Sequence, residues 1–333
     1  MITRQLGRSG PVVSAVGLGC MGMSGVYGQA RDDDSIATIH AALDAGIDLL
    51  DTGDYYGMGH NELLIRRALQ GRNRDDVVIS VKFGSLRGPD GSWLGSDGRP
   101  ALVKTFLAFT LQRLGTDHID VYRLGRTDPK VPIEETVGAI AEMIEAGFVR
   151  HVGLSEAGVD TIRRAVATHP VADLQIEYSL ISRGIEAAIL PTCRELGVGI
   201  TAYGVFSRGL LGGDLATGKA FEPGDMRRFM PRFRPENLER NLMLVDALRA
   251  IAGQKGASVA QVALAWVLSR GDDIVPLVGT TRAAGVAEAV AALDMRLSPD
   301  EIAALERATP PEAVAGDRYD ERQMAMLDSE QGA

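Results

Sequence analysis

Eight short, continuous apolar runs alternate with amphipathic segments of helical period along 333 residues, and no linker or shift in composition divides them. Together these observations predict an α/β fold, a (β/α)8 TIM barrel with an N-terminal β-hairpin and extra C-terminal helices, spanning 1–333 as one domain. Strands that are apolar throughout, instead of alternating, are what a parallel sheet needs when both its faces are covered. The alternative is a doubly wound open sheet, which would leave room for a second domain.

The first residues, 2–13, are broken by Gly7-Arg8-Ser9-Gly10-Pro11 and read as a hairpin plugging the barrel bottom. Strands are expected at 15–18, 47–50, 77–81, 119–124, 148–154, 173–176, 198–202 and 274–278. Helices are expected at 33–45, 61–69, 103–114, 133–145, 159–168, 186–196, 238–252 and 283–293. Two extra helices fit 259–269 and 299–308, the second with Ser298 as N-cap and Pro299 at its first position. The Gly-rich loop 85–100 and the loop 206–237, rich in Arg, Phe and Pro, have room for a substrate. The polar tail from about 310 is expected to lie over the surface.

Composition excludes several functions. With 45% hydrophobic and 24% charged residues the chain is in the globular range, and its net charge of −9 comes from scattered acids. Nucleic acid is not an expected partner, because no cluster of Lys and Arg with interleaved aromatics is present. No apolar run is long enough to span a bilayer, and the N-terminus lacks a signal-peptide pattern. Cys20 and Cys193 lie far apart without metal-ligand spacing and read as reduced thiols, so a cytoplasmic location is expected. A small molecule is the expected partner, no metal is called for, and the oligomeric state is not legible.

The chemistry concentrates at strand ends. Asp51 falls just past the second strand, Tyr56 follows in a glycine-bounded loop, and Lys82 closes the third strand. In such a barrel the C-terminal strand ends share one mouth, where catalytic residues collect. A free phenol has a pKa of about 10; a neighbouring ammonium would lower it, and a carboxylate would hold the ammonium in place. The competing reading is that Asp51 caps a turn, Lys82 is solvated and Tyr56 packs a loop.

The stretch Asp51-Thr52-x-Asp54-x-Tyr56-Gly57-x-Gly59-x-Asn61-Glu62, preceded by Gly17-Leu18-Gly19-Cys20-Met21-Gly22-Met23, resembles the aldo-keto reductases. The resemblance runs nearly end to end, through Gly153-Leu154-Ser155-Glu156, Gln175-x-Glu177-Tyr178-Ser179-Leu180, Asn237-Leu238-Glu239-Arg240-Asn241 and Ala315-Gly316-Asp317-Arg318-Tyr319. It implies NADPH-dependent reduction of an aldehyde or ketone without a metal. Tyr56 is then the proton donor, Lys82 its partner and Asp51 the supporting acid. The family expects a histidine after the fourth strand, where this chain reads Leu124-Gly125-Arg126-Thr127-Asp128-Pro129. His40, His60, His118, His151 and His169 lie in helices, turns or at a strand start and do not replace it. Gly125 should leave a side-chain-sized void, and loss of one such donor costs about 10²–10³-fold in turnover. A Gly125→His substitution is therefore expected to raise carbonyl reduction.

The resemblance also places Ser155 and Gln175 on the nicotinamide carboxamide and Tyr203 against the ring. The segment Gly204, Val205, Phe206 and Arg208 would hold the pyrophosphate through backbone amides. Gly279, Thr280, Arg282 and Glu288 remain for the adenosine end, where Arg282 is one charge in place of several and Ala289 stands where an asparagine is usual. NADPH is expected, weakly bound. Tyr27, Trp93 and Arg123 are expected in the substrate pocket. Reduction of a carbonyl or conjugated double bond is the leading function. A redox-neutral lyase or isomerase, such as a dehydratase, built on Tyr56, Lys82 and Asp51 is the alternative, and a non-catalytic binding or regulatory protein is the third.

Overall fold

The computed structural model describes residues 1–212, 215 and 221–331, so part of the expected loop 206–237 lies outside the described residues. The chain opens with an antiparallel hairpin, β1 (Thr3–Gln5) and β2 (Val12–Ser14). There follow β3 (Gly17–Gly19), α1 (Asp32–Asp44), β4 (Leu49–Gly53), α2 (His60–Ala68), β5 (Val78–Phe83) and an antiparallel ribbon, β6 (Ser85–Arg87) with β7 (Trp93–Ser96). Next come α3 (Pro100–Leu114), β8 (Ile119–Leu124), α4 (Ile133–Glu145), β9 (Val149–Ser155), α5 (Val159–Thr168) and β10 (Val171–Glu177). The chain continues through α6 (Ile189–Leu196), β11 (Gly199–Tyr203), α7 (Pro235–Gln254), α8 (Val259–Ser269), β12 (Ile274–Gly279), α9 (Ala283–Ala292), α10 (Pro299–Ala308) and α11 (Glu321–Met324). Strands β3, β4, β5, β8, β9, β10, β11 and β12 form a closed parallel barrel, with β12 pairing back onto β3. This is the expected (β/α)8 barrel.

Strand register sorts the residues. Around the barrel the paired positions run Gly19–Asp51, Asp51–Ser80, Lys82–Arg123, Arg123–Gly153, Gly153–Asp173 and Thr201–Val275. These belong to one parity of the pleat, because side chains alternate along a strand. The other parity, including Leu50, Ile79, Tyr122, Leu174 and Ile200, is apolar and joins the large core cluster with helix residues such as Ile39, Ile65 and Val137. Inside, the lowest layer is apolar: Leu49, Val275 and Leu277 pack against Leu6 and Val13 of the hairpin. The hairpin closes the barrel at its N-terminal end, as expected, with Arg8 N donating to the Gly197 carbonyl at 2.8 Å and Ser14 N to Asp48 Oδ1 at 2.7 Å. Gly197 follows α6 with φ +74°, a left-handed helix end that a side chain would strain, and a Cβ there would meet the stem of Arg8.

Three local expectations differ. Helix α10 opens as expected on a Ser298 capping box with Pro299 first, but the helix foreseen at 186–196 begins only at Ile189 after a short turn, because Ala188 leaves the helical region. The Gly-rich loop 85–100 contains the β6–β7 ribbon, too short and too glycine-broken to read as strands. The tail does not lie loosely over the surface. Arg318 donates to both oxygens of Glu156 at 3.0 and 2.8 Å, Ser329 Oγ donates to Glu156 Oε2 at 2.6 Å, and Gly158 N donates to Asp328 Oδ2 at 2.7 Å. Its polar residues are partners of ions buried at the barrel mouth.

Burial alone would raise the Glu156 carboxyl, but the Arg318 charge and hydrogen bonds outweigh it and hold it at about 2. Arg318→Ala would leave that carboxylate buried without its counter-ion, and urea unfolding at pH 7 should show a loss of about 3–5 kcal/mol. In the unmodified protein the Glu156 contribution is present above its ordinary value of 4.5 and lost as pH falls toward about 2. That acid limb of the stability profile should shrink in the variant.

Candidate active site

Asp51 and Lys82 sit on neighbouring strands, β4 and β5, both on the inward parity. Lys82 Nζ donates to Asp51 Oδ1 at 2.6 Å; Ser80 Oγ donates to Asp51 Oδ2 at 3.0 Å and Gln175 Nε2 to the same oxygen at 2.7 Å. The pair is almost fully buried, so its stability depends on these polar contacts in place of water. Tyr56 follows β4 in a turn, Tyr56–Gly59, in which Gly57 and Met58 take left-handed backbone angles. Its ring centroid lies 5.1 Å from Lys82 Nζ.

The expected lowering of the phenol pKa is not what this arrangement gives. Burial pushes Tyr56 well above the ordinary value, and Tyr55 and the Asp51 charge push in the same direction. Burial also lowers the Lys82 ammonium, with Asp51 opposing. The ammonium lies against the ring, and its charge is largely matched by Asp51, so burial decides. Tyr56 therefore holds its proton at neutral pH.

These three residues line a cavity of about 810 Å³ that also reaches Ser155, Gln175, Tyr203, Gly204, Val205, Phe206 and Arg208, and extends to Gly279, Thr280 and Arg282. An adjoining cavity of about 420 Å³ shares Phe206, Gly279, Thr280 and Arg282 and adds Glu288. Tyr27 and Trp93 are on the wall of the larger one. Ser155 Oγ at the end of β9 is buried there with no hydrogen-bond partner, and so is Arg208 Nη1. Arg208 Nη2 donates to Glu177 Oε2 at 2.9 Å, while the Tyr203 hydroxyl donates to Glu156 Oε1 at 2.6 Å and meets the Tyr319 hydroxyl at 2.9 Å. Glu288 Oε1 accepts from Ser258 Oγ at 2.5 Å.

Arg123 is the residue placed wrongly. It is fully buried inside the barrel, away from the cavity wall, with Nη2 donating to Asp173 at 3.0 and 3.1 Å. Gly153 makes room for this pair, since a Cβ there would stand 2.8 Å from Asp173 Oδ1 and 2.9 Å from Arg123 Nε. Gly125 is at the expected place after β8, but the void is not. A Cβ would stand 3.3 Å from Tyr55 Cε1, 3.3 Å from the Phe83 carbonyl oxygen and 3.5 Å from Ser85 Oγ. None of the five histidines lines the cavity. Sequence reasoning missed Tyr55, Arg87, Arg126, Tyr319, Gln323, Met326 and Leu327, all on the wall. Tyr55 and Arg126 each adjoin a residue singled out by the motifs and Tyr319 lies within one, a usable signal; Gln323, Met326 and Leu327 carry none.

The family model described as "Aldo/keto reductase family" matches residues 15–309. The chain belongs to this family. Among solved relatives, a glycerol dehydrogenase from Gluconobacter oxydans is 29% identical with a TM-score of 0.84, over 93% of this chain and 96% of that one. An aldo-keto reductase from Bacillus halodurans in its holo form is 26% identical, TM-score 0.77, over 97% and 99%. One from Klebsiella pneumoniae in complex with NADPH is 27% identical, TM-score 0.72, over 93% and 96%. Among the described residues of this aldo/keto reductase, no helix is long and apolar enough to cross a membrane and no acid, histidine and cysteine cluster could hold a metal.

One buried acid lies beside the Tyr56–Gly59 turn. Asp54, whose backbone N donates to the Lys82 carbonyl at 2.9 Å, has neither carboxylate oxygen in a hydrogen bond of normal geometry. Burial first, then the Glu62 charge, pushes it up to about 7 against the pull of Arg113. Its stabilising contribution is thus present below the ordinary 3.8 and lost as pH rises through about 7. Asp54→Asn should gain stability over the parent by about 2–3 kcal/mol more at pH 8 than at pH 5, read from urea midpoints.

Proposed function

We propose that this aldo/keto reductase reduces a carbonyl group, or a conjugated double bond, of a small organic substrate with NADPH, and that Tyr56 is the proton donor. The observation that carries the reading is Ser155 Oγ, a hydroxyl buried on the cavity wall without a partner, on the side where Asp51 is held by Gln175. A buried polar atom without a partner is costly unless a ligand satisfies it. Arg208 Nη1 is a second such atom further along the same wall. The residues present therefore fit a nicotinamide dinucleotide. Ser155 and Gln175 would hold its carboxamide, Tyr203 would face its ring, and Gly204, Val205, Phe206 and Arg208 would hold its pyrophosphate. Gly279, Thr280, Arg282 and Glu288 would take the adenosine end, with Arg282 favouring a 2′-phosphate.

When bound, NADPH supplies the hydride. Tyr56 gives its proton to the substrate oxygen, and the Lys82 ammonium, fixed by Asp51, offsets the charge left on the phenol. Burial excludes competing water from this pair and strengthens its field.

The test is a titration with NADPH followed by nicotinamide fluorescence, then turnover followed by nicotinamide absorbance. Binding, together with loss of absorbance in step with substrate, is expected. No binding at millimolar cofactor would sink the proposal, and product formation without net change in absorbance would favour a redox-neutral reaction on the same triad. Tyr56→Phe should lower turnover at least 100-fold while leaving NADPH binding intact.

A further inference from the structure

The end of the cavity around Tyr56 holds two phenols and a guanidinium. The Tyr55 and Tyr56 rings meet edge to face, with centroids 4.9 Å apart at 81°. Tyr55 is among the groups that, after burial, hold the Tyr56 proton. Both line the cavity with Lys82, as does Arg126. Arg126 Nη1 donates to the Gly125 carbonyl at 2.6 Å, and Nη2 reaches the Tyr319 hydroxyl at 3.5 Å. Its hydrogen bonds thus go to a carbonyl and a phenol, and the buried Glu156 carboxylate acts on it through its charge alone.

Position 125 accounts for the room Tyr55 has. Gly125 N donates to the Phe83 carbonyl at 2.8 Å, fixing the backbone, and a Cβ added there would be 3.3 Å from Tyr55 Cε1. That distance is already tight. A longer side chain at 125 would have the Tyr55 ring on one side and the Phe83 carbonyl on another. The glycine is the flank of a tyrosine, not an empty space.

We propose that Tyr55 is the second hydrogen-bond donor to the substrate carbonyl oxygen, beside the positive field of Arg126, and that Gly125 admits its ring. This rests on the carbonyl-reduction reading above. An oxygen placed to accept from Tyr56 would sit beside Tyr55, whose ring packs edge to face against Tyr56 on the same cavity wall. Burial holds Tyr55 at about 12 against the pull of Arg126, so it stays protonated and able to donate at neutral pH. In the reduction the hydride adds to the carbonyl carbon and the proton on the oxygen comes from Tyr56. Tyr55 keeps its own proton and stabilises the charge that develops before that transfer.

Two measurements test this on the full-length protein. With NADPH and 4-nitrobenzaldehyde, Tyr55→Phe should lower kcat by about 10²–10³-fold with NADPH binding unchanged. Gly125→His should give no gain while Tyr55 is present, whereas Gly125→His combined with Tyr55→Ala should exceed Tyr55→Ala alone by at least about 10-fold. Tyr55→Phe at parental turnover, or a gain from Gly125→His with Tyr55 in place, would overturn the proposal. The second measurement needs no turnover: benzoate, an anion able to accept from Tyr55, Tyr56 and Arg126, should bind by calorimetry and lose about 10-fold or more in Tyr55→Phe. Equal binding by both proteins, or none by the parent, would overturn it. Benzoate binding that depends on Tyr55, in a protein that oxidises no NADPH, would leave the donor standing and sink the reductase reading.

Discussion

The ion pair of Asp51 and Lys82 is buried at the upper end of the barrel, where a charge without a partner would be expensive to keep. Neither residue can meet the other until β4 and β5 lie side by side in register. The second carboxylate oxygen then needs Ser80 from β5 and Gln175 from β10. Gln175 reaches Asp51 only because the sheet closes on itself. The buried Asp51–Lys82 pair and the closed barrel are therefore formed together, and Tyr56 is presented to a lysine whose position is already set.

The same demand governs the rest of the interior. Inward positions are apolar only at the base, where Leu49, Val275 and Leu277 meet the hairpin. Above them the barrel carries charge held in ion pairs: Arg123 with Asp173, Glu177 with Arg208 and Arg232, Glu156 with Arg318. Since Arg318, Tyr319 and Ser329 belong to the tail, the C-terminal segment completes the electrostatics of the mouth while also walling its cavity. Asp54 is the exception among these acids: beside the Tyr56–Gly59 turn, burial and the Glu62 charge push its carboxyl up against the pull of Arg113.

Gly125 shows how a missing side chain changes meaning once its neighbours are known. In the sequence it is a lost donor and a hole. In the structure, Tyr55 stands against it, edge to face with Tyr56 and on the same wall as Arg126. The space a glycine leaves is bordered by a residue from a different strand end, because the barrel brings the loop after β4 beside the loop after β8.

Alternation of apolar runs with amphipathic segments determined the eight-stranded barrel, since covered parallel strands need apolar residues and crossover helices need one apolar stripe. Motif spacing brought out Asp51, Tyr56 and Lys82, because residues at neighbouring strand ends must share a mouth. Tertiary structure alone decided three matters. It turned Arg123 inward to Asp173, because the pleat fixes which face a strand residue takes but not what lies across the barrel. It drew the polar tail into the mouth through Arg318 and Glu156, 162 residues apart in the chain. It also raised Tyr56, where residue types alone favoured a lowered phenol, because burial depends on everything packed around a group and not on the residues beside it in sequence.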